Sequence, residues 1–155
     1  MKKNLNIIFL TLLALVFGCE EKMEIDTEYP EIIMTIPDAF PVQCSTLKRG
    51  ESFTFRVLLH DNVALGSYSL DIHHNFDHHS HSTEVEECDL NPMKTPVNPF
   101  LFIRNYPIPA GQRNYETSMD IEVPLDIDPG DYHFMIRVTD KEGWQTLRGI
   151  SIKIE

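Results

Sequence analysis

Residues 128–143 read Asp128-Pro129-Gly130-Asp131-Tyr132-His133-Phe134-Met135-Ile136-Arg137-Val138-Thr139-Asp140-Lys141-Glu142-Gly143. Tyr132, Phe134, Ile136 and Val138 alternate with His133, Met135 and Arg137. That period of two predicts a strand with the first set in a core and the second on an outer face. Just ahead, Asp128-x-Gly130-x-Tyr132 has the spacing of a tyrosine corner, in which the hydroxyl bonds back to upstream backbone and fixes a crossover between two sheets. Residues 140–143 supply a turn, and residues 145–154 return as a final strand.

The alternation recurs upstream. Residues 31–36 are framed by Pro30 and Pro37. In residues 52–59, Phe53, Phe55, Val57 and Leu59 share a face. In residues 67–73, Tyr68, Leu70 and Ile72 point inward, and Ser69, Asp71 and His73 outward. Residues 100–105 make one strand inside the proline-rich stretch 91–109, and residues 115–123 make another, ended by Pro124. No helical periodicity of useful length and no internal repeat is present. About seven short antiparallel strands predict an all-β fold, an immunoglobulin-like β-sandwich.

Residues 129–143 resemble the F strand and F–G turn of bacterial immunoglobulin-like modules. Phe53-Thr54-Phe55 through His60-Asp61-Asn62, with Leu70-Asp71-Ile72-His73-His74-Asn75-Phe76-Asp77-His78-His79, resemble an uncharacterised family of immunoglobulin-like lipoprotein domains of the Bacteroidota. The resemblance implies a fold and a location, and no activity.

The N-terminus points to the same compartment. Lys2 and Lys3 precede an apolar run over residues 7–17, too short to span about 30 Å of hydrocarbon comfortably. Val16-Phe17-Gly18-Cys19 resembles a lipobox, with Phe17 bulkier than usual. The expected organisation is a lipoprotein signal peptide over residues 1–18, an acidic tether over 19–29 starting at a lipidated Cys19, and the sandwich over 30–155. Several acyl chains on one residue suffice for stable anchoring, because each buried methylene contributes about 0.8 kcal/mol. The tether, Glu20-Glu21-Lys22-Met23-Glu24-Ile25-Asp26, resembles the acidic export signal of Bacteroidota surface lipoproteins. The expected location is the outer membrane, facing the cell surface, with the periplasmic face as the alternative.

Loss of Lys2 and Lys3 with the leader takes the formal charge from −11 to −13. Such a chain does not bind nucleic acid by neutralising phosphates, and it attracts cations. With Cys19 lipidated, Cys44 and Cys88 remain as an even pair in an oxidising space, which favours a disulfide over free thiols or soft metal ligands.

Five of the seven histidines, His73, His74, His78, His79 and His81, lie within nine residues, with Asp71 and Asp77 interleaved and Glu84, Glu86 and Glu87 following. Imidazole with carboxylate suits transition metals. In an immunoglobulin-like sandwich the strand ending at His73 runs antiparallel beside the one opening at His133. The expected metal ligands are therefore Asp71, His73, Asp77, His78, His79, His81 and His133, holding Zn or Cu. The competing reading is a solvated His-rich loop. His60, at the other pole, is expected to be structural or solvent-facing.

Other patterns are weaker. Asp126-Ile127-Asp128 with Asp131 has calcium-like carboxylates, but the corner already explains Asp128. Asp61-Asn62 resembles the calcium segments of cadherins without their flanking ligands. Trp144 with Tyr106 and Tyr115 would suit a sugar platform, although a lone Trp beside a turn more often packs on its own sandwich. No nucleophile motif or phosphate loop is present, so a non-enzyme is expected. The predicted function is metal acquisition, buffering or delivery by a lipid-anchored protein. The alternatives are a non-catalytic adhesion module for a glycan or protein partner, and a contact that responds to pH through its histidines.

Overall fold

The computed structural model describes residues 25–80 and 88–155. The leader over residues 1–18, Cys19, the first part of the tether, His81, Glu84, Glu86 and Glu87 lie outside the described residues. Ten strands follow in order: β1 Glu31–Ile33, β2 Ser45–Leu47, β3 Ser52–Phe55, β4 Leu58–His60, β5 Leu65–His74, β6 Phe102–Pro107, β7 Asn114–Glu116, β8 Met119–Glu122, β9 Gly130–Asp140 and β10 Gln145–Ile154.

One sheet has the order β2-β10-β9-β5-β6. All its pairs are antiparallel except β2–β10, which is parallel. The opposite layer is made of β1-β4-β7 and β3-β8. These two pieces share one register, with Ser52 opposite Glu122, Phe55 opposite Met119, Leu58 opposite Glu116 and His60 opposite Asn114. The ladder is interrupted at Arg56 and Val57. Arg56 exchanges backbone hydrogen bonds with Phe40 instead. Val57 N donates to the Thr117 hydroxyl at 3.0 Å, while Thr117 N donates to the Val57 carbonyl at 2.9 Å. A threonine hydroxyl thus stands in for one ladder acceptor, and the two pieces form one face of an immunoglobulin-like sandwich.

The faces meet through Phe55, Val57, Leu59 and Ile121 on one side and Leu70, Ile72, Tyr132, Phe134 and Ile136 on the other, all buried. Phe55 stacks on Phe134 with centroids 5.5 Å apart. Each fully buried side chain of this size contributes about 1.5–3 kcal/mol. The tyrosine corner is present. Tyr132 donates its hydroxyl to the Asp128 carbonyl at 2.6 Å and accepts from Phe100 N at 3.1 Å. Desolvation raises the Tyr132 pKa, so the hydroxyl stays a donor. Gly130, at φ 139°, is required here, because a Cβ would come within 2.9 Å of the Phe76 ring.

Three particulars depart from the sequence reading. Strand β2 falls where no strand was expected, because three residues are too few to show a period. His133 and Met135 belong to the outer face yet are buried at 0% and 7% exposure. The cause is that β9 is flanked on both sides, by β5 and β10, and that the His79 segment covers His133. The tether is docked from Asp26 onward: Asp26 is 6% exposed, and its carbonyl accepts a hydrogen bond from Trp144 Nε1. Cys44 and Cys88 form a disulfide with a Cα–Cα distance of 5.6 Å, joining the residue ahead of β2 to the segment that opens at Cys88.

Candidate functional site

His73 lies directly opposite His133 in the β5–β9 ladder. Their ring centroids are 5.4 Å apart. The chain leaves β5, turns through Asn75 to His78, and brings His79 back over both. The His79 ring lies 5.7 Å from His73, nearly parallel, and 4.8 Å from His133, edge-on. His133 Nε2 donates to the His79 carbonyl at 3.1 Å. Two strands and one loop therefore gather three imidazoles, because equal-register pairing places His73 beside His133 and a short return loop covers them.

Two of the rings are oriented by carboxylates. His73 Nδ1 meets Asp71 Oδ1 at 2.8 Å, and His79 Nδ1 meets Asp77 Oδ1 at 2.6 Å. The second bond holds the Asp77 carboxyl below its usual pKa. An imidazole that donates Nδ1–H to a carboxylate carries its lone pair on Nε2, the arrangement found behind many histidine metal ligands. Asp71 and Asp77 thus stand behind the rings rather than beside their Nε2 atoms. His78 is turned away, at φ 57°, with Nε2 on the Asn91 carbonyl at 2.9 Å. Of the seven expected ligands, the structure brings together the rings of His73, His79 and His133, with Asp71 and Asp77 hydrogen-bonded behind the first two, and places His78 apart; His81 lies outside the described residues. His60, at the other pole, is bonded to Asn114 Oδ1 at 2.9 Å.

A second group was not assembled from the sequence. Among the described residues, three ligand atoms come within 4.8 Å of one another at Asp26, Asp61 and Asp140. All three residues are buried, at 6%, 1% and 4% exposure. Asp61 Oδ1 accepts from Val63 N and Ala64 N. Asp140 Oδ1 accepts from Gly143 N and Trp144 N. Asp26 Oδ1 accepts from Glu28 N and Asn62 Nδ2. In each case Oδ2 is buried without a hydrogen-bond partner, and so is Asn62 Oδ1. None of the ion pairs among the described residues involves these acids. Two unit charges this close repel by on the order of 3 kcal/mol at an effective dielectric near 20. Asp26 and Asp140, distant from Asp61 in sequence, are therefore brought beside it in space.

The other candidates dissolve. Asp128 Oδ2 accepts from Val97 N and Asn98 N, which holds its pKa down, and Asp131 Oδ2 accepts from Asn91 N. Tyr106 stacks on Tyr68 at 5.0 Å and Tyr115 lies 6.1 Å from it, whereas Trp144 packs edge-on to Tyr29 at 4.9 Å. The three rings do not form one platform.

A family model described as "Domain of unknown function (DUF4625)" matches residues 17–155. The chain belongs to the DUF4625 family. No curated protein matches it. Among solved structures it is similar to a "GspB Siglec domain", at 20% identity and a TM-score of 0.42, covering 84% of this chain and 59% of that one. The chain thus spans about three-fifths of that structure's length. For this DUF4625 domain the chemistry of the site rests on its own side chains: imidazoles at one end of β5 and β9, and carboxylates at the other.

Proposed function

We propose that this DUF4625 chain is a lipid-anchored, non-catalytic protein of the bacterial envelope that takes up Zn²⁺ or Cu²⁺ at His73, His79 and His133. In this reading residues 1–18 direct export, Cys19 carries the lipid, and the domain faces outward from the outer membrane of a member of the Bacteroidota. The protein acquires, buffers or delivers the ion. One observation carries the proposal: three imidazoles from β5, β9 and the intervening loop lie with centroids 4.8–5.7 Å apart, two of them oriented by carboxylates. Zn–N bonds of about 2.0–2.1 Å require Nε2 of His73, Nε2 of His79 and Nδ1 of His133, whose Nε2 donates to the His79 carbonyl, to draw closer. His79, borne on a loop, is the side chain that rotates to close them, while His73 and His133 are held by the sheet. The strongly acidic mature chain favours cation capture.

The test is calorimetric titration of the mature protein, prepared without a histidine tag, with Zn²⁺ and with Cu²⁺. One site is expected, weakened about tenfold or more in His73→Ala and in His79→Ala. Equal affinity in the wild type and the double variant sinks the reading.

A further inference from the structure

We infer that Asp26, Asp61, Asp140 and Asn62 form a binding site for one calcium ion that staples the N-terminal segment to the tip of the sandwich. Each carboxylate spends Oδ1 on backbone or amide N–H groups, which fixes its orientation, and leaves Oδ2 buried without a partner. Asn62 donates Nδ2 to Asp26 Oδ1, which orients its own Oδ1, also buried and unpartnered. Three unpartnered carboxylate oxygens on aspartates at most 6% exposed, with the buried Oδ1 of the half-buried Asn62 beside them, call for a compensating positive charge. Four such ligands offer only hard oxygen donors, without histidine or thiolate. That chemistry selects Ca²⁺ or Mg²⁺ over Zn²⁺ and Cu²⁺. Carboxylate oxygens within 4.8 Å of one another fit around a common Ca²⁺ with ligands at about 2.4 Å, and water completes its shell of six to eight. Mg²⁺ demands a tighter octahedron, near 2.1 Å, and gives up its own waters reluctantly.

The ligands come from three places: the turn between β4 and β5, the end of β9, and the segment ahead of β1. Only Asp26 belongs to the segment leading back toward Cys19, so ion binding orders that segment against the domain. Trp144, the single tryptophan of the chain, donates Nε1 to the Asp26 carbonyl at 3.0 Å and packs on Tyr29. Its fluorescence therefore reports on the site. Asp140 and His133 stand at opposite ends of β9, about 24 Å apart at some 3.4 Å per residue. The two sites are thus separable by mutation.

The experiment uses mature protein stripped with EGTA. Ca²⁺ is added while Trp144 fluorescence and Tm are recorded, and Mg²⁺ is added in a parallel series. Ca²⁺ is expected to change the fluorescence with a midpoint between about 0.1 and 1 mM, the range of extracellular calcium modules, and to raise Tm by binding the folded state alone. Mg²⁺ should act only at higher concentration. Asp26→Asn, on a segment outside the sheets, should move the Ca²⁺ midpoint up about tenfold or more by removing one ligand charge. The His73→Ala, His79→Ala double variant should respond to Ca²⁺ as the wild type does, whatever becomes of Zn²⁺ and Cu²⁺ binding. Wild-type fluorescence and Tm indifferent to Ca²⁺ up to about 10 mM, well above that range, overturn the inference. So does an Asp26→Asn response that coincides with the wild type.

Discussion

The backbone carbonyl of His79 accepts a hydrogen bond from His133 Nε2, while the ring of the same His79 lies edge-on to the His133 ring at 4.8 Å. One loop residue thus both caps and covers a strand residue that is fully buried. The side chains of His73 and His79 retain 23% and 36% exposure. Diethyl pyrocarbonate should therefore modify His73 and His79 well before His133, as followed by mass mapping. His133 should react faster in His79→Gly. Equal rates at His79 and His133 in the wild type would contradict this cover.

Tyr132→Phe should destabilise the domain by about 1–3 kcal/mol, because it strands the part-buried Asp128 carbonyl and the buried Phe100 N together. Urea denaturation measures this. A loss below about 0.5 kcal/mol would mean that the corner hydroxyl is replaceable by water.

Thr117→Val keeps the shape and removes the acceptor for Val57 N. A cost on the order of 1–2 kcal/mol is expected, with Thr117→Ser recovering most of it. The comparison of the two urea midpoints separates the hydroxyl's role from packing.

The Cys44–Cys88 disulfide spans a separation of 44 residues. Chain entropy assigns such a loop about 4 kcal/mol. The Cys44→Ser, Cys88→Ser double variant should lose stability on that scale, and a reductant should bring the wild type to the same melting temperature.

The core-facing Tyr68 has its pKa pushed up to about 12, first by burial and then by Tyr115 and Tyr106. Its unfolded value is about 10. The folded state therefore holds the proton more tightly, and this contribution is complete below pH 10 and is lost as pH rises from 10 to 12. Urea midpoints taken from pH 8 upward should fall in that window, and Tyr68→Phe should flatten the fall. A variant that falls as steeply as the wild type would assign the alkaline loss to another group.

Much of the fold was legible. The alternations around Tyr68 and Tyr132 located β5 and β9, and the Asp128-x-Gly130-x-Tyr132 spacing located the corner. The juxtaposition of His73 and His133 followed from those strands plus one topological rule. The burial of His133 did not, because alternation reports which face a side chain takes and not what later covers that face. The direction of the His78 side chain, toward the Asn91 carbonyl, was not legible for a related reason: a loop residue at positive φ has no periodicity to read.

What the sequence determined by itself is therefore local: periods of two, a corner signature, a turn, and an even cysteine pair once Cys19 is set aside. Each depends on residues near one another in the chain. The acidic cluster is of another kind. Asp61-Asn62 and the Asp140 turn are each visible as fragments, but Asp26 lies 35 residues before Asp61, and Asp140 lies 79 after it. Their convergence depends on where β4, β5 and β9 end together and on how the first segment docks against Trp144. Only the tertiary structure decided that, since no local pattern encodes which loops share a pole of a sandwich.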